Sequence, residues 1–221
     1  MSDPFSSTQA AGTARRPRAD GQRTRERILT AAARLATVEG IDGLSIGRLA
    51  EHLEMSKSGL FAHFGSKEEL QLATIAHAER IFEEDVLAQA LAAPEGLPRL
   101  EALCEGFLSH VARRVFPGGC FFASVAAELD ARPGPVHDRV VEVAAGWMQL
   151  LVASIADAQR LGELDATIDA PQLAFELDAF LALGNSLFLL RGDEAIDRAR
   201  QAVAGRLERA RPPRRRSTPA R

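Results

Sequence analysis

Tyrosine is absent from this 221-residue chain, tryptophan occurs once, as Trp147, and aromatic residues make up only 5% of the sequence. No run of alternating β-branched residues is long enough to build a sheet, so the chain reads as all-α. Cysteine is scarce as well. Cys104 and Cys120 give no disulfide framework, and reduced thiols inside a cell are the reading that follows. No uninterrupted apolar run approaches the roughly 18–20 residues needed to cross a bilayer. The first residues lack the basic-then-apolar order of a secretory leader. A cytoplasmic location is therefore expected. Phosphate loops, nucleophile elbows and metal-ligand clusters are also missing, and His77, His110 and His137 lack the spacing of a metal site. No enzyme activity, metal or cofactor is expected.

What is present is ordinary in amount and uneven in distribution. Hydrophobic residues are 46% and charged residues 26%, enough for one large domain or two small ones with a proper core. The net charge of −3 conceals an asymmetry: residues 1–67 carry +3, residues 68–190 carry −12 and residues 191–221 carry +6. An acidic body repels a polyanion, so a basic head is the part that meets one.

Apolar spacing and caps divide the chain into helices. Ile28, Ala31, Ala32, Leu35 and Ala36 recur at steps of three and four in a first helix from about Thr24 to Glu39, which Gly40 ends. Ser45 caps a short second helix and Ser56 a third, which ends near Phe64 and Gly65. Ser66 and Glu69 form a capping box that opens a long helix to about Leu91. Further helices are predicted at about 98–115, 120–130, 136–161, 170–190 and 193–210, with Asp169 and Gln172 as the cap of the helix at 170. Residues 1–20 read as a disordered basic arm and residues 211–221 as a disordered basic tail. Arg15, Arg16 and Arg18, like Arg214–Arg216, fit either a solvated tail or an arm that enters a minor groove.

The stretch SKSGLFAHF at 56–64 suits neither a buried helix nor a fully solvated one. Two short helices joined by a tight turn and braced by another form the shape that inserts one helix into a DNA major groove. Ser56, Ser58 and Gly59 keep the leading side thin, and Lys57 can donate to a guanine edge or to a phosphate. Leu60 and Phe64, four residues apart, face back onto the first two helices. Phe61 and His63 lie at the flanks, where the phosphate backbone runs. Lys67 and the free N–H groups of the helix capped by Ser66 offer a further anion site.

The segments TRERILTAAARLATVEGIDGLS and LAEHLEMSKSGLFAHFGSKEEL resemble the DNA-binding domain of TetR-family transcriptional regulators over about residues 24–70. The resemblance implies phosphate contacts for Thr24, Ser45, His63 and Lys67, and base or groove contacts for Lys57, Ser58 and Gly59. Two positions depart from the family pattern. Phe61 stands where the family usually has a tyrosine whose hydroxyl contacts phosphate, which leaves Phe61 only packing. Glu54 stands where a glycine is usual, and a left-handed backbone there would cost on the order of 1 kcal/mol.

The domains expected are thus a helix-turn-helix head at 21–66 and a helical regulatory and dimerisation body at 67–210. In the body, the helices at 136–161 and 170–190 are apolar around much of their circumference. Val140, Trp147, Leu151, Leu177, Leu181 and Gly184 are candidates for an interface with a second copy, unless they form a deep single-chain core. A regulator's body also holds a ligand site, with Phe107, His110, Phe116, Phe121, Phe122, Trp147, Phe175 and Phe180 as candidates. The function implied is a homodimeric, sequence-specific DNA-binding regulator, a repressor released from its operator by an unidentified small molecule. Cys120, near a helix start, keeps open a redox-responsive variant. A helical enzyme and a protein-binding module are compatible with the same composition.

Overall fold

The computed structural model describes residues 16–129 and 133–213, and every regular element among them is helical. The first helix, α1 (Arg16–Glu39), begins eight residues before the expected start at Thr24 and takes in residues 16–20 of the expected arm. Pro17 permits this, because a proline in the first turn forfeits an N–H that has no partner there anyway. Gly40, at φ 85°, ends α1. Arg15, the side chains of Arg16 and Arg18, and Arg214–Arg216 lie outside the described residues.

Helices α2 (Ile46–His52) and α3 (Lys57–Phe64) begin at Ser45 and Ser56, whose hydroxyls accept the N–H of Arg48 and of Gly59. The turn between them passes through Glu54 at φ 53°, the left-handed conformation for which a glycine would be suited. Ile28, Leu29, Ala32, Leu49, Leu60, Phe64 and Leu70 close a small core beneath the three helices.

Helix α4 (Lys67–Phe82) joins this head to the body. Only half of the expected capping box forms. Ser66 Oγ accepts Glu69 N–H at 3.0 Å, while Ser66 N–H bonds to the Phe64 carbonyl. The long helix predicted to Leu91 is present but interrupted: Glu83–Leu87 widen into a π-helical turn before α5 (Ala88–Ala92). Asp85, within that turn, accepts from both His110 and Arg113 at 2.6 Å, which anchors the widened turn to the next helix.

The body continues with α6 (Leu97–Ala112), α7 (Phe121–Leu129), α8 (Pro135–Arg160), α9 (Ala170–Arg191) and α10 (Asp193–Arg209). Asp169 caps α9 through Gln172 N–H at 2.9 Å. Helices α8 and α9 are long and apolar enough, by length and composition, to cross a membrane. A search for uninterrupted runs misses them because Glu142, Glu176, Asp178 and Asn185 break the apolar stretches. One side of each belongs to the body core, through Leu151 and Ile155 on α8 and Leu173, Leu177 and Leu181 on α9.

A second set of contacts locks head to body. The Glu128 carboxylate of α7 accepts the backbone N–H groups of Ile41 and Asp42 at 2.7 and 2.9 Å. Gly118 N–H donates to Thr37 Oγ1, and a Cβ on Gly118 would lie 1.8 Å from the Thr37 carbonyl oxygen. Only glycine fits there. Gln71 donates to the Ile41 carbonyl from α4, closing the joint on its other side.

His77 of α4 sits between α1 and its own helix, 8% exposed. Arg80 can only donate, so His77 Nδ1 accepts from it at 3.0 Å and Nε2–H donates to Thr30 Oγ1 at 3.0 Å. Burial, then the Arg80 charge, hold the imidazole below its usual pKa, and burial does the same to His110. Both imidazoles thus hold a proton less readily in the fold than in the unfolded chain, where the ordinary value is 6.5. Stability is therefore complete above that pH and is lost as the pH falls toward the folded-state values. Urea unfolding is expected to show this decline, and His77→Gln to make it shallower; an unchanged slope in the variant would contradict the assignment. Glu54→Gly is expected to raise stability by about 0.5–1 kcal/mol, because release of left-handed strain exceeds the added freedom of the unfolded chain. A fall in the urea midpoint would refute that account of the turn.

Candidate nucleic-acid interface and the body groove

Helix α3 has two unlike sides. Leu60 and Phe64 are 0% and 3% exposed, and they pin the helix to the head core. Lys57, Ser58, Phe61 and Ala62 face solvent, with Gly59 between the two sides. A Cβ on Gly59 would come within 2.9 Å of the Ser56 hydroxyl, so glycine leaves the cap intact and the helix thin. Lys57 lies over Gly47 of α2, with its ammonium exposed. Phe61 is 55% exposed, an apolar ring with no hydroxyl to offer a phosphate.

The remaining head candidates surround this side in different states of engagement. Ser45 uses an oxygen lone pair for its cap and keeps its hydroxyl proton for an acceptor. Thr24 Oγ1 donates to the Asp20 carbonyl at 2.8 Å, a bond that must be exchanged before it can serve a phosphate. His63 is half-buried. Lys67 Nζ donates to the Asp42 carbonyl at 2.6 Å and lies 3.7 Å from the Asp42 carboxylate, so part of its charge is already answered. The first turn of α4 carries Glu68 and Glu69, which oppose the binding of an anion at that helix end.

Arg25 carries no signal in its spacing, yet it holds the recognition side in place. Its guanidinium donates to the His63 carbonyl at 2.6 Å and stacks 4.4 Å from the centre of the Phe64 ring. Arg48, bidentate on Glu39, ties α2 to the end of α1. Nothing in a linear reading distinguishes these arginines from solvated ones, because their partners are up to 38 residues away.

In the body, a groove of about 460 Å³ opens between α4 with its π turn, α7 and α8. Phe82, Phe122 and Trp147 form its aromatic wall. Among the ligand candidates only Phe122 and Trp147 line it. Phe107 and His110 lie behind, 6% and 1% exposed, in contact with Phe82. Phe116 and Phe121 belong to the seam between α1, α4 and α7. Phe180 packs on the body core, and Phe175 is 64% exposed on the outside of α9. Aromatic spacing identifies these segments as helical, but which side of each helix is inward depends on its neighbours.

The interface candidates need the same correction. Val140, Leu151, Leu177, Leu181 and Gly184 are buried in their own chain and Trp147 is half-buried, so none offers a free apolar face. The opposite side of α9 does, with Phe175, Leu183 and Leu190 in the open. Cys120 is 2% exposed, and burial pushes its thiol up to about 11 despite the favourable N–H groups of Phe122 and Ala123. That environment removes the thiolate a redox sensor needs.

Comparison with known proteins agrees with this architecture. Residues 28–74 match the family described as bacterial regulatory proteins, tetR family, and residues 96–203 match the tetracyclin repressor-like C-terminal domain. The chain is 25% identical over 204 residues to the HTH-type transcriptional regulator TcmR of Streptomyces glaucescens, covering 86% of this chain and 84% of that protein. A TetR transcriptional regulator from Chloroflexus aurantiacus superposes with a TM-score of 0.78 at 26% identity, covering 86% of this chain and 96% of that one. AibR, solved in complex with isovaleryl coenzyme A and operator DNA, superposes at 0.68 with 24% identity, covering 86% and 99%. With head and body both matched, the chain belongs to the TetR family of transcriptional regulators, and its helix-turn-helix head is the DNA-binding part.

Proposed function

We propose that the protein is a homodimeric repressor whose operator affinity falls when a small molecule occupies the body groove. The observation that carries the reading is the free polar side of α3, held outward by the burial of Leu60 and Phe64. Lys57, Ser58 and Gly59 enter the major groove, with Thr24, Ser45, His63 and Lys67 on the phosphates and Phe61 packed on the sugar-phosphate backbone. A cytoplasmic location follows from the DNA partner. AibR, a similar fold, was captured with both a ligand and operator DNA, which supports pairing the two sites.

Helix α4 is the lever in this reading. Leu70 near its start packs in the head core, and Phe82 at its end stands in the groove wall. An occupant that displaces Phe82 tilts α4, and the two heads of a dimer change their separation. Half-sites spaced by roughly 34–36 Å or a multiple no longer match them. The apolar side of α9 supplies the contact between copies.

Selection from random duplex DNA is expected to recover a two-fold repeated sequence. On that duplex, log K should fall steeply with log salt, and Lys67→Ala should flatten the slope by about one unit. Lys57→Ala should relax the base preference instead. No binding to any duplex at low salt would end the reading. Leu183→Glu is expected to yield a monomer in sedimentation with its helicity retained; a persisting dimer would place the contact elsewhere.

A further inference from the structure

The lining of the body groove carries more information than its shape. Beside the aromatic wall stand three carboxylates, Glu79, Glu83 and Glu142, and one cation, Arg139. Arg139 bonds both Glu79 and Glu142, so its charge is answered twice over. Glu83, in the π-helical turn, has no hydrogen-bond or ion-pair partner among the described residues, and it is exposed. The groove therefore holds a net charge of −2 within a body segment of net −12.

The rings complement that charge. Phe82 stands edge-on to both Trp147 and Phe122, with centroids 5.6 and 6.1 Å apart. Trp147 donates its indole N–H to Asp178 at 2.8 Å, so what it offers the groove is apolar surface and a π system. An acceptor carboxylate on the indole N–H raises the electron density of the ring and strengthens its attraction for a cation. An anion entering here meets Glu83 and finds no unanswered positive charge. A neutral apolar molecule gains the rings but leaves Glu83 unpaired.

We infer that the groove between α4, α7 and α8 binds an organic cation with an aromatic or aliphatic body, its charge toward Glu83 and its hydrophobic part among Phe82, Phe122 and Trp147. This builds on the small-molecule control proposed above and names the chemical class of the effector.

Trp147 is the sole tryptophan and tyrosine is absent, so intrinsic emission reports the groove directly. Titration of the full chain with tetraphenylphosphonium is expected to change that emission saturably. Tetraphenylborate, of nearly the same shape and opposite charge, is expected to produce no saturable change. Glu83→Gln should weaken the cation about five-fold with an unaltered thermal transition, as loss of one partly solvated charge requires. Equal binding of both ions, no response to the cation, or undiminished cation affinity in Glu83→Gln would each overturn the inference. Adding tetraphenylphosphonium to the complex with selected duplex separates the two proposals. Release of DNA upholds both, whereas cation binding without release leaves the groove chemistry standing and removes the control mechanism.

Discussion

Helix α4 belongs to two hydrophobic cores at once, and the rest of the molecule is arranged around that fact. Leu70 at one end is fully buried with Leu60 and Phe64 of the head, and Ile75 and Ala78 in the middle are fully buried against α1 and α7. Phe82 at the other end enters the body core. A rigid element shared in this way cannot move in one part without disturbing packing in the other, because protein interiors deform by repacking rather than by stretching. Head and body therefore meet along α4 within one continuous structure.

Two polar contacts turn that shared helix into a defined joint. Glu128 takes the amides of the Ile41–Asp42 turn from α7, and Gln71 takes the Ile41 carbonyl from α4. The turn between α1 and α2 is thus held from both sides by side chains of the body. The π-helical turn at Glu83–Leu87 lies at the far end of the same helix, with Asp85 fixed by His110 and Arg113. Widened turns of this kind frequently accompany functional sites, and here Glu83 on the same turn faces the groove.

Charge is divided as the sequence asymmetry indicates, yet its local use is finer than the totals. Lys67 is partly committed to Asp42, and Glu68 and Glu69 sit at the helix end whose free N–H groups would otherwise attract an anion. Lys57 keeps its ammonium in the open. In the body, three carboxylates and a single arginine stand beside aromatic rings, which gives the groove a sign as well as a volume.

Helix positions, caps and the slim side of α3 are legible in the sequence because they depend on neighbours three or four residues away. Ser45, Ser56, Asp169 and the Leu60–Phe64 pair are of this kind, and so is the left-handed residue at Glu54 given the family pattern. The early start of α1 is hidden because Arg-, Pro- and Gly-rich composition masks a helix that Pro17 tolerates in its first turn. Which side of α9 is inward is not legible, since apolar residues around most of its circumference give periodicity no preferred direction. Packing against α6 and α10 makes that choice, burying Leu177 and Leu181 and leaving Phe175 and Leu183 outside. The clamps of Arg25, Gln71 and Glu128 likewise arise only when distant segments meet, because a polar side chain's partner is set by the fold and not by its neighbours in the chain.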